Sequence, residues 1–195
     1  MKKNLITAVL MTIVTTVLLG LIYPLVVTGL AKGLFPDKAN GQIITSDGRA
    51  VGSRIIGQAF SGPGHFHSRP SAAGNGYDAA NSGGTNFAVT NQKLIDRVKQ
   101  DVGALQSEAA GKPIPIDLVT TSASGLDPHI TPAAADFQVA RVARERGVSE
   151  QAIRALVAKH TEDRQLGFLG EPRVNVLELN LDLDATQPMK VAAAR

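Results

Sequence analysis

The chain is 195 residues long, enough for one domain and an appendage. Its 20 Lys and Arg outnumber its 17 Asp and Glu, and Lys2, Lys3 and Lys32 supply the whole surplus because no acid precedes Asp37. The remainder is formally neutral, so the basic balance argues for no nucleic-acid partner, and the absence of cysteine excludes disulfides, thiol nucleophiles and cysteine-ligated zinc.

From Leu5 to Ala31 no residue is charged. That run exceeds the roughly 20 apolar residues that cross a bilayer, and it is far longer than the apolar region of a signal peptide. It therefore reads as an uncleaved anchor in the lipid bilayer. The competing reading is a secreted binding protein cleaved after Ala31, since Gly29-Leu30-Ala31 fits a small-x-small site. Ala8, Thr12, Thr16 and Gly20 recur every four residues, a small-residue stripe on which another membrane helix can pack. Pro24 is expected to kink the outer third of the span. Lys2 and Lys3 favour an N-terminus on the cytoplasmic side and a domain outside. The reading divides the chain into a flank at 1–4, a transmembrane helix at 5–31, a connector at 32–40 and a single soluble extracytoplasmic α+β domain at 41–195.

Ile43-Ile44 and Val51 to Ile56 flank Asp47-Gly48, a hairpin turn signal. From Ser61 to Thr90 the chain is dense in Gly, Ser, Asn and Ala and reads as a long ordered loop presented by a scaffold. A helix follows from Asn91, with Leu94, Val98, Val102 and Leu105 on one face. Ile116 to Thr121 suits a strand. Thr131-Pro132 caps and opens a helix that closes at Gly147, and Ser149 caps the next, with Ile153, Leu156 and Val157 inward. Leu177, Leu179, Leu181 and Leu183 alternate with Glu178, Asn180 and Asp182, so the tail reads as a strand, with a bulge near Val176-Leu177.

Four groups of residues invite a chemical reading. His65 and His67 share one face if their segment is extended, and with His129 or His160 they can hold a metal, which would make the chain an independent membrane-anchored metal-dependent enzyme. The simpler reading is hydrogen-bonded histidines, since no metal motif accompanies them and no metal site is assigned. Ser122, Ser124, Asp127 and His129 are close in sequence, but no nucleophile-elbow motif surrounds them; Asp127-Pro128 reads as a turn, and no catalytic residue is assigned. Ser82-Gly83-Gly84-Thr85 leaves backbone N–H groups free to wrap an anion, though the lysine of a P-loop is missing. Its plain alternative is a tight turn, in which Gly83→Val is expected to do more harm than Ser82→Ala. Arg141, Arg144 and Arg154 lie among glutamates and read as a solvated helix face.

Several stretches act jointly: Ile56-Gly57-Gln58-Ala59-Phe60, Phe66-His67-Ser68-Arg69-Pro70-Ser71-Ala72, Ser82-Gly83-Gly84-Thr85-Asn86, Val119 to Asp127, and Val174 to Leu181. In this order behind one span, they closely resemble the KdpC family, the C subunits of Kdp potassium-transporting ATPases, from the span to about Asp184. The resemblance implies a non-catalytic accessory subunit in a bacterial inner-membrane complex. Its implied partners are a channel-like potassium-binding subunit, a P-type ATPase subunit and a small membrane subunit. No cofactor is implied as tightly bound. ATP is implied only through the complex, where Ser82, Gly83, Gly84 and Thr85 correspond to a motif proposed to raise ATP affinity, the alternative role being an external cap on the channel subunit. Thr85 stands where the family motif is expected to carry Ser.

Overall fold

The computed structural model describes residues 1–109 and 111–189, so the expected domain end at residue 195 lies outside the described residues. The chain divides into two compact units, the second beginning at Arg54.

The first unit opens with helix α1 (Lys2–Val17), a π-helical turn at Leu18–Ile22, and α2 (Tyr23–Leu34). Together they form the one helical run among the described residues that is long and apolar enough to cross a membrane, and none of it is buried. At 1.5 Å per residue it spans roughly 50 Å, more than a hydrocarbon core requires. The π turn has a local cause. Pro24 has no N–H for the carbonyl four residues earlier, and the Tyr23 N–H reaches back to Leu18. Within α1 the hydroxyls of Thr7, Thr12 and Thr15 donate to the carbonyls of Lys3, Ala8 and Met11, so their polarity is satisfied inside the helix. After the short α3 (Pro36–Ala39), strands β1 (Ile43–Ser46) and β2 (Arg49–Ser53) pair antiparallel. The two-residue turn places both Asp47 and Gly48 at positive φ, as the sequence signal requires.

In the second unit residues 54–91 contain neither helix nor strand. Helix α4 (Gln92–Ala109) presents Leu94, Val98, Val102 and Leu105 as a half-buried face. Strand β3 (His129–Ile130) precedes α5 (Pro132–Arg146), the central helix of the core, which buries Ala134, Ala135, Val139 and Val142. Its caps match the sequence: Thr131 Oγ1 accepts from the Ala134 N–H, and Gly147 takes the left-handed conformation. Helix α6 (Glu150–Lys159), capped by Ser149, packs Ile153 and Val157 inward. Strands β4 (Thr161–Glu162) and β5 (Arg173–Asn175) follow, and β5 lies between β3 and β4 in an antiparallel sheet. Helix α7 (Val176–Thr186) closes the described chain.

Two elements depart from the sequence reading. Ile116–Leu118 is a turn of 3-10 helix rather than a strand, following Pro115. Residues 176–186 are helical, and only Arg173–Asn175 is extended. Asn175 is the reason: its side chain accepts from the Glu178 N–H at 3.1 Å and nucleates the helix in place of a bulge. The alternation of leucines also hid a helical set, because Val176, Leu179, Asn180 and Leu183 fall at i, i+3, i+4 and i+7, and all four are buried.

Candidate functional site

The stretch Pro63–His67 has no strand partner, yet side chains from two helices hold its backbone. Phe66 is fully buried; its N–H donates to Asn180 Oδ1 at 2.8 Å, and its carbonyl accepts from Asn180 Nδ2 at 2.9 Å. Gln138 on α5 repeats the exchange with His67, accepting from its N–H at 2.7 Å and donating to its carbonyl at 3.0 Å. Arg141 donates to the carbonyls of Pro63 and His65, and Arg146 to that of Gly64 at 2.6 Å. Two amides and two guanidiniums thus do the work of a neighbouring strand.

Arg141 is therefore buried, which corrects the reading of a solvated arginine face. Besides the two carbonyls it pairs with Glu108 at 3.0 Å and with Gln138, so it is fully engaged. Arg144 and Arg154 are exposed or half-exposed, and Arg154 pairs with Asp136 and Glu150. Arg146, the last residue of α5, is 1% exposed and also binds Asp184 at 2.6 Å. Burial works against the charged form of Asp184, but hydrogen bonds from Arg146 and His65 outweigh it and hold the carboxyl below its usual range.

The next residues clasp a second loop. Arg69 reaches the carbonyls of Thr120 and Thr121, the Thr120 hydroxyl and the Asp127 carboxylate. Ser71 Oγ donates to the Gly125 carbonyl at 2.6 Å and accepts from the N–H groups of Ala73 and Tyr77. The Tyr77 hydroxyl donates to the Arg69 carbonyl. The N–H of Gly57 donates to the Leu126 carbonyl at 2.8 Å. The Arg-Pro-Ser-Ala and Ser-Ala-Ser-Gly-Leu-Asp stretches, about fifty residues apart in the chain, thus meet in space.

Ser82-Gly83-Gly84-Thr85 packs on the same loop. Ser82 Oγ and the Gly83 N–H both donate to the Ser124 carbonyl, at 3.0 and 2.8 Å. The close approach is at Gly84, where a Cβ would stand 2.9 Å from the Ala123 carbonyl oxygen. Gly83 has open space at its Cβ position and no positive φ, so the backbone reason for expecting Gly83→Val to do more harm than Ser82→Ala does not apply. Gly125 is tighter still: it sits at positive φ, and a Cβ would stand 2.6 Å from the Ala73 nitrogen.

The histidines separate. His65 Nε2 meets Asp184 at 3.0 Å, His67 Nε2 meets the Gly62 carbonyl at 3.1 Å, and His160 meets Asp182 at 2.7 Å. Among the described residues no three His, Asp or Glu side chains are grouped to hold a metal. Burial and the Arg141 charge lower the pKa of His67. Asp127 accepts from the N–H of His129 at 3.0 Å, and Ser124 Oγ accepts from the Leu126 N–H, so these residues shape turns. Burial works against ionised Asp127, but hydrogen bonds from His129 and the Arg69 charge outweigh it and keep its pKa low. An open cleft of about 290 Å³ beside it is lined by Arg69, Asp117, Asp127, His129 and Arg173.

Among the described residues, one helix long and apolar enough to cross a membrane precedes a domain of clasped loops, the layout of a membrane-anchored protein. The family model described as "KdpC: K+-transporting ATPase, c chain" matches residues 5–185. The chain is 78% identical over 189 residues to the potassium-transporting ATPase KdpC subunit of Koribacter versatilis, covering 97% of this chain and 98% of that one. It is 58% identical over 182 residues to the KdpC subunit of Acidobacterium capsulatum, covering 93% and 98%. With that of Geobacter sulfurreducens it shares 54% identity over 188 residues, covering 95% and 100%. The chain belongs to the KdpC family.

Proposed function

We propose that the chain is the non-catalytic accessory subunit of an ATP-driven potassium transporter. It assembles with a channel-like potassium-binding subunit, a P-type ATPase subunit and a small membrane subunit in the bacterial inner membrane. The observation that carries this reading is the family match from residue 5 to 185, which takes in both the apolar helix and the clasped loops. The domain acts as a brace or cap on the outer side. Lys2 and Lys3 favour an N-terminus in the cytoplasm, and one span then delivers the domain outside. The Ser82 hydroxyl and the Gly83 N–H are both engaged by Ser124, which favours an architectural role for this loop over contact with ATP. The stripe Ala8, Thr12, Thr16 and Gly20 is the face proposed for helix packing in the membrane.

Affinity purification from membranes tests the assembly: the channel-like and ATPase subunits are expected to co-purify, and their absence would refute it. Orientation is tested with Asp47→Cys, which has no background thiol in this chain. Labelling by a membrane-impermeant maleimide in whole cells is expected. Labelling only after lysis, with transport intact, would place the domain inside and favour the nucleotide role.

A further inference from the structure

Between β4 and β5 the chain runs out into a narrow hairpin, with residues 162–171 all exposed. Gln165 and Leu169 exchange backbone hydrogen bonds at 2.9 Å in both directions. Two cross-strand ion pairs brace the stalk, Glu162 with Arg173 at 2.8 Å and Arg164 with Glu171 at 2.5 Å. At the tip Leu166 and Gly167 both take positive φ, and the turn holds Leu166 83%, Phe168 69% and Leu169 48% exposed. Exposed apolar side chains gathered on one turn, unlike singly scattered ones, mark an interaction site, and a preset turn loses little freedom when it docks.

We infer that this hairpin is a docking finger whose Phe168 and Leu166 enter an apolar pocket with a basic rim on another protein subunit. The charges choose between the two surfaces available to a membrane-anchored domain. Glu162, Asp163 and Glu171 outnumber Arg164 and Arg173, so the finger carries a net negative charge. Peripheral insertion into anionic lipid relies on lysine and arginine around the apolar residues, and this finger has the opposite balance. A basic-rimmed protein pocket complements it, and a central aromatic side chain is the usual energetic anchor of such contacts. The inference rests on the reading of the chain as a subunit of a complex, and it adds the segment by which the domain engages its partner.

The test uses the full chain purified from membranes with its partner subunits. Phe168→Ser is expected to retain at least about tenfold less partner than wild type, as truncation of an aromatic anchor does, while unfolding at the same temperature. Equal retention by Phe168→Ser and by Leu166→Ser overturns the finger and leaves the subunit reading standing. A wild-type chain that retains no other subunit overturns both. The chain has no tryptophan, so Phe168→Trp reports the environment of the tip directly and decides the matter if Phe168→Ser also unfolds early. After subtraction of the wild-type signal, blue-shifted emission is expected in the complex and not in vesicles holding this chain alone. Unshifted emission in the complex overturns the proposal. So does a blue shift in the chain-only vesicles quenched by brominated acyl chains, which would assign the tip to lipid.

Discussion

Asn180 and Phe66 stand 114 residues apart in the chain and exchange two hydrogen bonds, donor for acceptor and acceptor for donor. The amide replaces the rung of a β-ladder at a fully buried position. Asn180→Leu leaves one N–H and one carbonyl of Phe66 buried without partners. At about 1–3 kcal/mol for each of the two unsatisfied groups, a loss of roughly 2–6 kcal/mol is expected from urea unfolding of the detergent-solubilised chain.

Arg146 supports the neighbouring carbonyl of Gly64 and binds Asp184 from a buried position. Arg146→Met leaves the Gly64 carbonyl without its donor while Asp184, about half exposed, can be rehydrated, so about 1–3 kcal/mol of destabilisation is expected. Loss of less than 1 kcal/mol in the same unfolding assay would show that water can take over these bonds.

The three glycines of the loop pair rank by geometry. Gly125→Ala combines positive φ with a backbone clash, Gly84→Val meets the Ala123 carbonyl, and Gly83→Ala meets open space. The expected order of destabilisation is Gly125→Ala, then Gly84→Val, with Gly83→Ala within about 1 kcal/mol of wild type because it meets no strain. Potassium-limited growth of cells carrying each variant is expected to follow the same order; a transport defect in Gly83→Ala with unchanged stability would point to a ligand at that position.

The order of difficulty in the sequence follows the kind of signal each element carries. Thr131, Gly147 and Ser149 act on their own neighbours, so the bounds of α5 and α6 were legible. Asp47-Gly48 likewise specifies its own turn. Helix α7 was misread because its leucines match both a period of two and a period of 3.6, and its decisive residues, Asn175 and Asn180, are polar. The roles of Gln138, Arg141, Arg146 and Asn180 depend on partners more than thirty residues away, which periodicity does not encode. The usable trace was a polar residue in phase with an apolar face, as Asn180 is with Leu179 and Leu183. The Ser-Gly-Gly stretch reads as a tight turn, but residues 82–85 form no turn and their donors go to Ser124, a partner about forty residues away that local composition does not encode.

His67 gives the stability a pH dependence. Its folded pKa is lowered, so the unfolded chain binds the proton more readily. The histidine contribution is complete above its ordinary pKa of about 6.5 and declines as the pH falls from there toward the lowered folded value. Urea midpoints are expected to drop between neutral and mildly acid pH, and to drop less in His67→Gln. Asp184, whose folded pKa is also depressed, extends the loss further: its contribution is complete above the ordinary carboxylate pKa of about 4 and declines as the pH falls from there through the lowered folded value. Asp184→Asn is expected to flatten only that lower limb.

Holding Phe66 through Asn180 also sets an order of events during biosynthesis. The clasped stretch leaves the ribosome long before α7 does, and 114 residues at common elongation rates take on the order of ten seconds. For that interval Phe66 has no α7 amide to receive it, and the loop that it anchors has only part of its final cover. Completion of the domain therefore waits on the last helix, and a nascent chain arrested before Asn180 would expose its middle, rather than its end, to proteases and chaperones.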